Sequence, residues 1–221
     1  MNFQLYPVRR RIEQDCSIEY SDLMNILFAS SNMHKAKELE QLLTPHILHL
    51  PSEFGLSFDC EETGTTFIEN ALQKAQALFC VSSHLGMPIL ADDSGLEVDA
   101  LDGAPGIHTA RYGSKPGEPV LSAHDKNLLL LSNLNGVPEE KRTARFVCAL
   151  VLLYPDGRTV KVQEKAEGRI LFSETGTHGF GYDPVFYSNE ACSCFALLTP
   201  ESKGMYGHRG KAALSLLRHI D

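Results

Sequence analysis

Short unbroken apolar runs alternate along the chain with segments whose apolar residues recur every three or four positions. This is the pattern of strands interleaved with amphipathic helices. Asn25–Ser31 (NILFASS) reads as a buried strand, and Asn32 is placed to cap a following helix in which Ala36, Leu39 and Leu43 share a face. Ile47–Leu50 is a weaker strand. Polar residues 59–65 precede a helix from about Phe67 to Ser83, with Phe67, Ala71, Ala75 and Leu78 on one side. Thr66-x-x-Glu69 is a capping-box pattern at its start. Pro88–Gly95 (PILADDSG) reads as a short apolar strand ending in two carboxylates, with Gly95 allowing a tight turn before Leu96–Leu101. A loop follows over Asp102–Gly106, then a helix over Asp125–Leu134. The apolar run Ala144–Tyr154 passes through Pro155-Asp156-Gly157 into 158–166 and predicts a hairpin. Gly176–Phe186 is rich in glycine and aromatics. The chain closes on a helix with Ala213, Leu216, Leu217 and Ile220 on one face.

With no repeat, low-complexity tract or linker, this is a mixed α/β protein with a single domain over residues 24–221. Residues 1–23 form an N-terminal extension of unassigned role; they carry Arg9-Arg10-Arg11 but lack the apolar core of a secretory signal. The 221 residues suffice for a sizeable core, and 43% hydrophobic with 22% charged residues is ordinary globular usage. A formal charge of -8 argues against wrapping nucleic acid, yet leaves room for a small anion in a locally basic cleft. The six cysteines form no CxxC pair, which fits reduced thiols in a cytosolic protein, and Cys192-x-Cys194 is expected to pack. No apolar run reaches membrane-spanning length.

Charge at the end of a buried strand demands a compensating partner, and adjacent strand residues point to opposite faces. Asp92 and Asp93 therefore suggest Mg²⁺ with a phosphorylated substrate beyond the strand end. A strand-exit turn stabilised by one Asp explains the segment equally well. Ser30-Ser31-Asn32-Met33-His34-Lys35 sits where a strand gives way to a helix, a junction that suits phosphate, although Ser and Asn cap helices routinely. Glu61-Glu62-Thr63-Gly64, taken alone, reads as a solvated acidic loop. Gly179-Phe180-Gly181-Tyr182-Asp183-Pro184 could stack and hydrogen-bond a nucleobase, or serve as a turn anchored by core aromatics. Lys203, His208, Arg209 and Lys211 fall among Gly204, Gly207 and Gly210, which suggests a glycine-rich loop shaped around a ligand.

In this order SSNMHK, EETGTTFIENALQKA, ADDSGLEVDALDGAPGIHTARYG, ARFVCALVLL, GFGYDPVF and KGMYGHRGKAAL resemble the inosine triphosphate pyrophosphatase family, across roughly Ile26–Leu217. The resemblance implies an elongated mixed β-sheet with flanking helices, forming two lobes around a central substrate cleft, and a cytoplasmic homodimer. It implies Mg²⁺-dependent hydrolysis of ITP, dITP and XTP to monophosphate and pyrophosphate, with no nucleic-acid or membrane partner. Ser30, Ser31, Asn32, Met33, His34 and Lys35 would bind phosphate. Glu62 and Asp93 would hold the metal, Asp93 would be the catalytic base, and Ser94 would contact substrate. Phe180, Gly181, Tyr182 and Asp183 would hold the base, with Lys203, His208 and Arg209 completing the pocket. Asp92, Glu69, Lys74 and Arg111 would support. Ser31 stands where the family usually has glycine, His178 where it often has glycine, and Gly207 where serine is frequent before His-Arg. Lys35 and Lys203 would stabilise the departing pyrophosphate. His208 and Arg209 would donate to the oxygen at purine position 6. Two other readings are a Maf-type pyrophosphatase for pyrimidine or modified nucleotides and a non-catalytic nucleotide-binding protein.

Overall fold

A computed structural model describes residues 23–115, 117 and 119–220, so residues 1–22 of the extension, Cys16 among them, lie outside the described residues. The elements follow in the order β1 (Asn25–Phe28), α1 (Met33–Leu42), β2 (Ile47–His49), α2 (Phe67–Ser82), β3 (Ile89–Val98), α3 (Ala123–Asn133), β4 (Thr143–Leu153), β5 (Thr159–Ile170), β6 (Phe186–Ser188), β7 (Ser193–Cys194), α4 (Pro200–Tyr206) and α5 (His208–Ile220). One seven-stranded sheet has the order β2-β1-β3-β4-β5-β6-β7. β1 pairs in parallel with β2 and β3, and the remaining pairings are antiparallel. The long strands β3, β4 and β5 carry two core regions. One half of the sheet is sandwiched, with α1 and α5 packing Leu39, Leu43, Ala213 and Leu216 on one face and α2 packing Ala71, Ala75 and Leu78 on the other. Towards the far end, Leu130 and Leu134 join Phe146, Phe186 and Phe195 in a second cluster.

Helix starts follow their sequence signals. Asn32 caps α1 by accepting the His34 and Lys35 amides, and the Thr66/Glu69 capping box opens α2 as expected. The predicted hairpin is present as β4–β5.

Several expectations fail. The acidic pair does not end its strand, and Leu96–Leu101 is not a separate element: β3 runs unbroken to Val98, paired with β4 from Ile89↔Leu153 to Val98↔Ala144. Gly95 makes no turn. A Cβ there would lie 2.4 Å from the Gly106 carbonyl oxygen and 2.6 Å from Thr109 Oγ1, so glycine admits a neighbouring 3-10 turn, Gly106–Arg111, against the strand. Nor do Lys203, His208, Arg209 and Lys211 lie on a loop, since Lys203 is on α4 and the others open α5. Their glycines serve packing, because a Cβ on Gly210 would sit 1.6 Å from the Gly204 carbonyl oxygen. Lys211 pairs with Glu190 at 2.5 Å and lies outside the cleft lining. Cys194 packs as expected, whereas Cys192 is exposed.

Gly210→Ala forces apart two backbones and should cost roughly 1–3 kcal/mol as an overpacking change. That corresponds to a fall in Tm of about 2–4 °C per kcal/mol for a chain of this size. An unchanged melting temperature would show that α4 and α5 do not pack so closely.

Candidate active site

β1 stops at Phe28, next to Leu90 of β3, and β3 continues. Asp92, Asp93 and Ser94 therefore lie just beyond the carboxyl end of the neighbouring parallel strand, where ligands of α/β sheets bind. Strand alternation sends Asp92 and Ser94 towards α1 and α5, and Asp93 towards α2.

Asp92 is 1% exposed and fully engaged. Its Oδ1 accepts from Lys35 Nζ and from Ser94 Oγ at 3.0 Å; its Oδ2 accepts from Arg209 Nε at 2.9 Å and from the Cys148 thiol at 3.3 Å. Burial opposes its charge, but Arg209 and Lys35 hold the carboxyl well below the usual range. A carboxylate offers about four lone-pair sites, and here four donors occupy them. Asp92 organises its neighbours. Through Arg209 it reaches Glu38, which accepts from Nη1 at 2.6 Å, while Nη2 donates to Ser94 at 2.8 Å.

Asp93 is less committed. Its Oδ1 meets Lys74 Nζ at 2.7 Å, and its Oδ2 has a long contact of 3.4 Å from Asn70. Burial pushes this carboxyl up, opposed by Lys74 and reinforced by Glu62. Lys74 Nζ is also 3.2 Å from Glu62 Oε1. Two carboxylates from separate segments thus converge on one cationic position. Among the described residues no three His, Cys, Asp or Glu side chains cluster as a metal site. Two oxygen donors facing an open cleft nevertheless fit Mg²⁺, which keeps waters and takes substrate phosphate oxygens.

The other end of the site is aromatic and basic. Asp183 Oδ2 accepts the Phe180 amide at 2.8 Å and Lys203 Nζ at 2.6 Å. Lys203 also donates to Glu38 at 2.8 Å and sits 4.6 Å from the Phe180 ring centroid. The His34 ring stacks on Phe180 at 5.1 Å. His208 stacks on Phe146 at 4.7 Å, and its Nδ1 is buried without a hydrogen-bond partner. Burial, then the Arg209 and Lys203 charges, drives the His208 pKa well below its ordinary value, so the ring is neutral. Phe180, Lys203, His208 and Arg209 separate a cavity of about 560 Å³ containing the carboxylates from one of about 680 Å³ lined by His34 and Glu38.

The first cavity gathers Ser30, Ser31, Asn32, Lys35, Glu62, Lys74, the Asp92–Ser94 run and the Phe180–Asp183 segment. Other expected residues stand elsewhere. Met33 is half exposed outside both cavities, and His34 faces Phe180 in the second. Glu69 accepts the Thr65 and Thr66 amides as a helix cap, and Arg111 contacts His108 outside the cleft lining. Tyr182 touches the first cavity but is buried in the core, its hydroxyl donating to the Thr109 carbonyl at 3.1 Å. Lys203 lies on Phe180 and pairs with Asp183 and Glu38, whereas Lys74 is the lysine between Glu62 and Asp93. Asn32 Oδ1 and the His34 and Lys35 amides are occupied by the cap, which leaves Lys35 Nζ and the serine hydroxyls to face the cavity. Glu38, Asn70, Lys126, Phe146 and Cys148 were missed from sequence. Glu38 was findable, since it follows Lys35 by three residues on one helix face.

A histidine kept neutral by burial contributes stability above its unfolded pKa, near 6.5, and loses it as pH falls through that value. The loss approaches about 1.4 kcal/mol per pH unit below it. His208→Phe, which keeps the ring on Phe146, should flatten that part of the stability–pH curve between about pH 7 and 5. An unaltered slope in urea titrations would contradict the buried neutral ring.

The Ham1 family model matches residues 26–219. A dITP/XTP pyrophosphatase of Treponema denticola is 48% identical over 197 residues, spanning 89% of this chain and 98% of that protein. One from Thermus thermophilus is 44% identical over 196 residues, spanning 88% and 90%. Among solved structures, the Staphylococcus aureus Ham1 protein superposes with a TM-score of 0.74 at 36% identity, covering 89% of this chain and 97% of that one. A HAM1 protein from Coxiella burnetii gives 0.76 at 33% identity, covering 90% and 98%. This chain belongs to the Ham1 family.

Proposed function

We propose that residues 24–221 form a Mg²⁺-dependent nucleoside triphosphate pyrophosphatase acting on dITP, ITP and XTP. The observation that carries this reading is the convergence of Glu62 and Asp93 on one cationic position, in a cleft that also holds the Phe180 ring with Lys203 against it, and the His208 ring. The dITP/XTP pyrophosphatase relatives agree with it. A Maf-type activity has no support from the family match, and a non-catalytic nucleotide binder would not need a poised Asp93.

Bound at Glu62 and Asp93, Mg²⁺ would neutralise phosphate oxygens and make a nearby water more acidic. Asp93 takes the proton of the water that attacks the α-phosphorus, and the bond from that phosphorus to the bridging oxygen breaks to release pyrophosphate. Asp93 suits the role because only Lys74 and a long contact from Asn70 engage its oxygens, which leaves it acceptor capacity for a proton. Asp92 cannot share it, since all its acceptor positions are filled. Lys74 and Lys35 stabilise charge on the phosphates.

Base choice follows from donors. Hypoxanthine and xanthine carry an oxygen at position 6, where adenine carries an amino group. The Lys203 ammonium can only donate, and the neutral His208 ring donates from the nitrogen that carries its proton. An adenine amino group would leave donors facing donors. Arg209 is anchored by Asp92, Glu38 and Ser94, so it holds the pocket more than it reads the base. Guanine has the same oxygen, and its exclusion falls to its 2-amino group. A cytoplasmic homodimer belongs to the same reading, supported by the family resemblance and by the five described cysteines being free thiols. No helix among the described residues is long and apolar enough to cross a membrane.

Asp93→Asn should lower kcat by about 10²–10⁴-fold with a smaller change in KM; near-normal turnover would remove Asp93 from its role as base. Pyrophosphate release from dITP, ITP and XTP should exceed that from ATP by up to about 10⁴–10⁵-fold in kcat/KM, with GTP also disfavoured. Comparable rates on all five would refute the selectivity argument.

A further inference from the structure

Among the described residues, every cation lining the carboxylate cavity is held by an acid except one. Lys35 is paired with Asp92, Lys74 with Asp93 and Glu62, Lys203 with Asp183 and Glu38, and Arg209 with Asp92 and Glu38. Lys126 enters the same cavity from α3, half-buried, and its Nζ donates to the neutral Ala110 carbonyl at 2.9 Å. Burial lowers its pKa, and no acid among the described residues opposes that effect.

The surroundings hold this lysine in place. Asn127, the next residue on α3, donates to Glu174 at 2.7 Å and to the Gly181 carbonyl at 3.2 Å, tying the helix to the aromatic segment. Ala110 belongs to the 3-10 turn that packs on Gly95, and Thr109 in that turn accepts the Leu96 amide at 2.8 Å. Lys126 therefore stands across the cleft between the strand of carboxylates and the Phe180 end. A positive charge there, satisfied only by a carbonyl dipole, gains by exchanging it for an anion.

We propose that Lys126 binds a phosphate of the nucleotide, leaving the Ala110 carbonyl as the polyphosphate enters. The proposal rests on the pyrophosphatase reading for the identity of the anion. A flexible ammonium suits this exchange, because it acts as a point charge without fixed fork geometry.

The test measures binding by calorimetry, with Mg²⁺ present, of inorganic pyrophosphate, IMP and inosine to the full chain, to Lys126→Met and to Lys126→Arg. Lys126→Met should weaken binding of pyrophosphate, IMP or both by about 10- to 100-fold, the range for a hydrogen bond to a charged group. Inosine binding should not change, and Lys126→Arg should restore most of the loss. Loss confined to pyrophosphate places the lysine at the leaving group, and loss confined to IMP places it at the α-phosphate. Unchanged binding of both phosphate probes, no phosphate binding by the unaltered chain, or an equal loss with inosine would each overturn the proposal. None of the probes is hydrolysed, so failure of the pyrophosphatase reading appears separately, as no pyrophosphate released from dITP by the unaltered protein.

Discussion

Two adjacent carboxylates on one buried strand cannot share a face, and the organisation of the site follows from that constraint. Strand geometry sends Asp92 towards Lys35 and Arg209, and Asp93 towards Lys74 and Asn70. Each side then acquires a different task. The fully bonded Asp92 fixes an arginine that in turn fixes Glu38 and Ser94. The less bonded Asp93 keeps acceptor capacity on the side of Lys74 and Glu62, which is what the proposed role as base asks of it.

The same strand explains why the two ends of the cleft are coupled. Glu38 accepts from both Arg209 and Lys203, so the buried ionic network runs from Asp92 to the lysine beneath Phe180. Removing one member of such a buried network leaves a charge uncompensated, which is far costlier than losing a surface pair. Close backbone packing of α5 on α4, permitted by Gly210 against the Gly204 carbonyl, holds Lys203 and Arg209 near one another.

Much of this was legible in the residues. Apolar periodicity and the Thr66/Glu69 box located α2, Asn32 marked the start of α1, and the run after Thr143 located the central strand. The adjacency of Asp92 and Asp93 announced opposite faces. The strand's continuation past them was hidden, because two acids, a serine and a glycine read as a turn; tertiary pairing with β4 overrides that local tendency. Gly95 and Gly210 were misread for a related reason, since glycine's role as room for another backbone depends on what packs there. Partners distant in sequence were equally silent. Nothing local links Cys148 to Asp92, or Lys126 to the cleft.

The central claim is that Glu62 and Asp93 share one divalent cation beside the nucleotide. The direct measurement is anomalous diffraction from crystals soaked with Mn²⁺ and a non-hydrolysable inosine triphosphate analogue. The account predicts one metal peak within coordination distance of both carboxylates and of phosphate oxygens, with the purine against Phe180. A peak bound to neither carboxylate, or a purine seated away from Phe180, would contradict it.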